Sequence, residues 1–223
     1  MNTSTTGQDN QSLVISYLTL RKAIGFLGLL LPIILVTGDW IDTGHLGVEP
    51  SISDYYYTNM RNGFVDVMSA VALFLFAYLG YDPIDRIAGN LGCIFALGVA
   101  FFPTTPELQD PDITGTLHFV FAVLFFATLV FFSLFLFTRT RNVHQMTERK
   151  KTRNTIYHFC GYIMIACILS MALYFFIFEN KYPWLDQAHP VFYLESLALV
   201  AFGFSWLVKG ELILKDLNHK RIY

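Results

Sequence analysis

Polar chemistry is concentrated in one stretch of the chain, SISDYYYTNMRNGFVD, at Ser51–Asp66. It brings Ser51, Ser53, Asp54, Tyr55, Tyr56 and Arg61 close together, and Asp66 follows a short way into an apolar run. Two further ionisable residues, His118 and Glu195, each stand near the start of a different apolar block. Ionisable groups inside a bilayer cost several kcal/mol unless paired or hydrated, so each marks a candidate site. Tyrosine hydroxyls and an arginine at one level suit a phosphate or another lipid headgroup. A histidine beside a carboxylate suits proton transfer. In that role His118 is the base, Glu195 its partner, and Asp54 or Asp66 the acid that orients water.

A metal is a second option for the same residues. His118, Glu195 and Asp66 would offer zinc a mixed nitrogen and oxygen shell. No HExxH and no other close-spaced ligand pair accompanies them, so no cofactor is predicted, and zinc is the one metal considered. A b-type haem needs two axial ligands at matched depth. His118 and His158 each stand near the start of consecutive apolar blocks, which cross the bilayer in opposite directions, so most of the membrane thickness separates them. A purely structural role competes throughout: Asp66 pairing with Arg61, Glu195 bonding His118 to fix helix register, and the tyrosines anchoring at the interface.

These residues must be positioned by apolar elements. The chain of 223 residues is 54% hydrophobic and 14% charged, with 22 phenylalanines, whereas an ordinary soluble domain is about 25% charged. The apolar residues fall into six blocks, roughly 23–41, 63–80, 87–103, 116–138, 156–178 and 191–209. A hydrocarbon core about 30 Å thick requires about 20 helical residues, and lipid admits only helices or closed barrels. The expected fold is an all-α bundle of six transmembrane helices, with the third span the shortest. A transport path is not expected, because the fourth span is featureless apolar surface beyond His118.

Orientation follows from basic residues. With the N-terminus inside, only Arg61 and Lys181 of the 15 lysines and arginines fall outside, as the positive-inside rule requires. Both termini then face the cytoplasm. Residues 1–22 form a cytoplasmic segment that includes a short interfacial helix, 23–209 the transmembrane domain and 210–223 a cytoplasmic tail. No signal peptide is apparent. Cys93, Cys160 and Cys167 all lie within apolar blocks, which predicts buried thiols and no disulfide framework.

SISDYYYTNMRNGFVD, GYD after the second block, FFPTTP, LHF and ESLALVAFGFSWLVKG together resemble a group of uncharacterised bacterial six-span membrane proteins, distantly similar to the DRAM-like proteins. The resemblance covers about 39–210. It implies six helices and carries no activity, and its members have a small residue where this chain has Asp66. A second comparison is with the CREST hydrolases, which include alkaline ceramidases. Those have seven spans and a histidine-rich zinc site, whereas this chain has six apolar blocks and no HxxxH.

The expectation is therefore a multi-pass protein of a bacterial inner membrane, with an outward-facing polar pocket that binds a lipid headgroup or small ligand. The pocket residues are Ser51, Ser53, Asp54, Tyr55, Tyr56, Arg61, Asp66, His118 and Glu195. A membrane-embedded lipid hydrolase, metal-dependent or not, is the alternative, and a structural or assembly subunit without ligand is the third reading. The partners expected are membrane lipids and further copies of the chain, not nucleic acid.

Overall fold

The computed structural model describes residues 3–80, 82–106, 109–110, 112–140, 146–179 and 181–215, with side chains from 17 onward. Arg141, Lys220 and Arg221, three of the basic residues that the expected orientation assigns to the cytoplasm, lie outside these, as does the rest of the tail beyond 215.

Among the described residues there are helices and no strands. Helix α1 is Thr3–Thr43. A 3₁₀ turn follows at Ser53–Tyr57, then α2 at Arg61–Phe76 and α3 at Pro83–Phe101. Helix α4, Ile113–Phe131, continues into a π-helical turn, Phe132–Leu136. Helix α5, Glu148–Leu173, ends likewise in the π-helical turn Tyr174–Phe178. A short α6, Pro183–Asp186, precedes α7, Pro190–Lys209. Five stretches are long and apolar enough to cross a membrane: Tyr17–Thr43, Pro83–Phe101, Ile113–Leu136, Glu148–Phe178 and Pro190–Lys209.

Three details depart from the sequence reading. The segment expected to lie as a separate interfacial helix is continuous with the first span, in one 41-residue helix that runs through Pro32. The second apolar block forms a helix of only 16 residues, about 24 Å long at 1.5 Å per residue. The chain turns after Phe76, and Gly80 adopts φ +64, where a Cβ would lie 1.9 Å from that of Asp85. Helix α3 is longer than expected, 19 residues, because it starts at Pro83. Proline at the first helical position loses no hydrogen bond, and the Asp85 carboxylate accepts the Asp82 backbone N–H at 2.9 Å, the return half of a capping box.

The helices close into a ring in the order α1, α2, α3, α4, α5, α7 and back to α1, and α4 ahead of its π-helical turn meets α5 only sparsely. Gly25 and Gly203 allow α1 and α7 to touch backbone to backbone, since a Cβ on either would lie within 3.0 Å of the other's carbonyl. Gly89 plays the same part for α3 against α2. At one end of the ring Trp206 is fully buried among Tyr78, Phe132, Phe137 and Phe202. The outer surface of the ring carries exposed Phe76, Ile94, Phe135, Phe159 and Leu169. A bilayer accommodates such a surface, whereas a soluble monomer rarely exposes contiguous apolar patches this extensive. The three cysteines are free and buried.

Candidate functional site

The polar stretch after α1 is held by several elements at once. Ser51 starts its turn: its hydroxyl donates to Asp54 Oδ2 at 2.8 Å and accepts the Asp54 backbone N–H at 3.2 Å. Serine followed by a short acid favours such local side-chain turns. From α7, the Glu195 carboxylate accepts the Ile52 N–H at 2.7 Å, and the Phe192 N–H donates to the Pro50 carbonyl at 3.0 Å. The Tyr57 hydroxyl donates to the Thr104 carbonyl at 2.5 Å, in the connection between α3 and α4. Asn59 donates to Asp42, close to the end of α1.

His118 completes the arrangement from the second turn of α4. The N-terminus of this helix is capped by Asp112, whose side chain accepts the Gly115 N–H at 2.7 Å. His118 is buried. Its Nδ1 lies 2.6 Å from the Phe102 carbonyl, and its Nε2 lies 2.9 Å from Ser53 Oγ. A carbonyl only accepts, so Nδ1 carries a proton. In the neutral ring Nε2 then presents its lone pair, and the Ser53 hydroxyl donates to it.

These groups border a cavity of about 340 Å³. Ser51, Ser53, Thr104, His118 and Glu195 are its polar lining residues. The remainder is apolar: Phe119, Ala122, Val123 and Phe126 of α4, Ile168, Met171, Ala172, Phe175 and Phe176 of α5, and Val191 of α7. The cavity therefore follows the α4–α5 seam. The π-helical turn of α5 contributes Phe175 and Phe176 to its wall, and such turns recur at functional sites. Phe119 and Phe175 meet edge to face across the seam at 6.0 Å. A second space of about 20 Å³, bordered by Ser53, Glu195 and apolar residues that include Phe64 and Met68, lies deeper in the ring.

His118 and Glu195 thus face one cavity from separate helices. They bond the polar stretch at Ser53 and Ile52 and not one another, so the direct contact considered from sequence is absent. Asp54, Tyr55, Tyr56, Arg61 and Asp66 do not line the cavity. Asp54 is engaged by Ser51. Tyr55 is fully buried with its ring 6.3 Å from that of Phe192, and burial pushes its hydroxyl pKa up to about 12. Arg61 donates to the Tyr56 hydroxyl and lies over that ring at 4.2 Å, not beside Asp66. Asp66 is exposed on α2. The triad weighed for zinc is not assembled, since Asp66 stands apart, and no three His, Cys, Asp or Glu residues group together among the described residues.

Sequence reasoning missed the apolar lining of the cavity. Block four reads as uniform apolar surface, and no residue type marks which of its phenylalanines face a void. It also missed Thr104 and the Phe102 carbonyl, although FFPTTP carried the signal that the backbone leaves the helix there.

No protein-family model, curated protein or solved structure matches the chain.

Proposed function

We propose that this chain is a six-helix membrane protein that holds an amphiphile in the α4–α5 seam, its headgroup against Ser51, Ser53, Thr104, His118 and Glu195. The observation that carries the reading is one cavity lined both by five polar residues and by a larger set of apolar ones. Lipid-sized ligands need both, and sites for small molecules are mostly apolar with a few well-placed polar groups. A seam between two outward-facing helices admits a lipid sideways from the bilayer. The headgroup expected is uncharged, bearing ester or hydroxyl groups, because a carboxylate lines the cavity and Arg61 is engaged with Tyr56.

In this reading α2 is the sixth span, short but flanked in the ring by α1 and α3. The basic residues face the cytoplasm. Arg21 donates to the Lys209 carbonyl at 3.3 Å, Arg153 pairs with Glu211 at 3.7 Å, and Arg139 pairs with Asp82 at 3.1 Å. These contacts gather basic side chains at the end of the ring opposite the cavity's polar groups, as the positive-inside rule expects. Placement in a bacterial inner membrane rests on the sequence resemblance.

A photoactivatable, alkyne-tagged monoacylglycerol in proteoliposomes tests the reading. Crosslinks should concentrate on the cavity faces of α4 and α5, and Ala172→Trp, which fills the seam, should remove them. Crosslinks spread equally over exposed positions such as Ile94 and Phe159, and unchanged by Ala172→Trp, would overturn it.

A further inference from the structure

We propose that Ser53 is a nucleophile activated by His118, and that the amphiphile is an ester whose acyl group Ser53 accepts. The inference rests on the amphiphile-binding reading and adds a reaction to it.

The geometry carries it. A serine hydroxyl is a weak nucleophile unless a neighbouring base takes its proton. Here Ser53 Oγ donates to His118 Nε2 at 2.9 Å, within the reach required of a general base. The other ring nitrogen is fixed by the Phe102 carbonyl at 2.6 Å, which holds the tautomer that leaves Nε2 free to accept. In serine hydrolases a carboxylate performs that orienting task; here a backbone carbonyl does. The dyad also faces usable space. A serine–histidine bond made only to pin a loop has no need of a cavity, yet both residues line one of about 340 Å³ with apolar lining for an acyl chain. Glu195 is a positioning residue. Its bond to the Ile52 N–H holds the residue before Ser53. Thr104 also lines the cavity and is the lining hydroxyl residue, other than Ser51 and Ser53, assigned to the developing oxyanion.

The reaction balances with water as co-reactant. Ser53 Oγ attacks the ester carbonyl carbon as its proton passes to His118 Nε2. Collapse of the tetrahedral adduct breaks the bond to the leaving alcohol, which takes that proton. Water then attacks the acyl-serine and gives its proton to Nε2, and the proton returns to Ser53 Oγ as the acyl bond breaks. The products are an alcohol and a carboxylic acid.

The test is a long-chain alkyl fluorophosphonate applied to the full chain in lipid nanodiscs, read by intact mass and by peptide mapping. One adduct on Ser53 is expected. Ser53→Ala should abolish it, and His118→Ala should slow it by at least about 100-fold, the usual contribution of a general base. Added imidazole should restore labelling of His118→Ala, which a merely structural histidine would not permit. Thermal melting of both variants checks that they remain folded. A folded wild type that takes no label, or takes it at another residue, overturns the nucleophile. If monoacylglycerol crosslinks in the seam persist in that case, the binding reading stands alone; if they are also lost, both readings fail.

Discussion

The Glu195 carboxylate, from the second turn of α7, accepts the backbone N–H of Ile52 at 2.7 Å, across 143 residues of sequence. Ile52 is buried, so that N–H has no ready replacement in water. Removing one partner of a buried hydrogen bond costs about 1–3 kcal/mol. Glu195→Ala should lose stability by about that amount, whereas Glu195→Gln, which keeps an acceptor oxygen, should stay within about 1 kcal/mol of wild type. Denaturation by dodecyl sulfate titration in mixed micelles measures both.

The α1–α7 contact makes a sharper packing prediction. A Cβ at Gly203 would lie 2.6 Å from the Gly25 carbonyl oxygen and 2.8 Å from the Leu29 nitrogen, both backbone atoms. At Gly92 the nearest obstacle is a Leu75 methyl at 3.1 Å, a side chain able to move. Gly203→Ala should therefore destabilise by about 1–3 kcal/mol, the range for overpacking, and Gly92→Ala by clearly less. Melting temperatures of the two variants, measured side by side in detergent, decide it.

Tyr55 gives a dependence on alkaline pH. Burial is the main cause that pushes its pKa up to about 12; a hydrogen bond with the Glu49 backbone offsets part of this, and the Glu49 and Asp39 charges add to it. An unfolded tyrosine titrates near about 10. A group whose pKa is raised on folding contributes stability below its unfolded pKa and loses it as pH rises through the folded one. Wild-type stability should thus fall between about pH 10 and 12. In Tyr55→Phe that component is missing, so the alkaline unfolding midpoint, followed by circular dichroism, should move upward.

Topology is testable with single cysteines. The native thiols are buried, while Leu46 and Glu148 are exposed at opposite ends of the ring. A membrane-impermeant maleimide applied to intact cells should label Leu46→Cys and spare Glu148→Cys. The converse pattern would invert the orientation.

Much of this architecture was legible in the chain because lipid leaves few options. Apolar blocks of sufficient length must be helices, and their approximate limits follow. The ends were less legible. The start of α3 at Pro83 was written in the Asp82–Asp85 pairing, but α2 stopped short at Phe76, ahead of a left-handed Gly80, an end that periodicity does not encode. At the site, depth along the helix was enough to bring His118 and Glu195 to one cavity, since both sit in the second turn of their helices. Rotation about the helix axis was not available. It decides that Asp66 faces away while Ser53 meets His118, and that Arg61 turns to Tyr56. Cavities belong to the seam between helices, and neither partner sequence announces one.

The central claim is that an acyl chain occupies the α4–α5 seam with its polar end at Ser53, His118 and Glu195. An experimental density map of the protein in lipid nanodiscs, at a resolution that separates side chains, tests it most directly. The account predicts elongated density running between Phe119, Ala122 and Ile168 and ending within hydrogen-bond distance of His118 or Glu195. A seam closed by α4 against α5, with no density beside those polar groups, would contradict it.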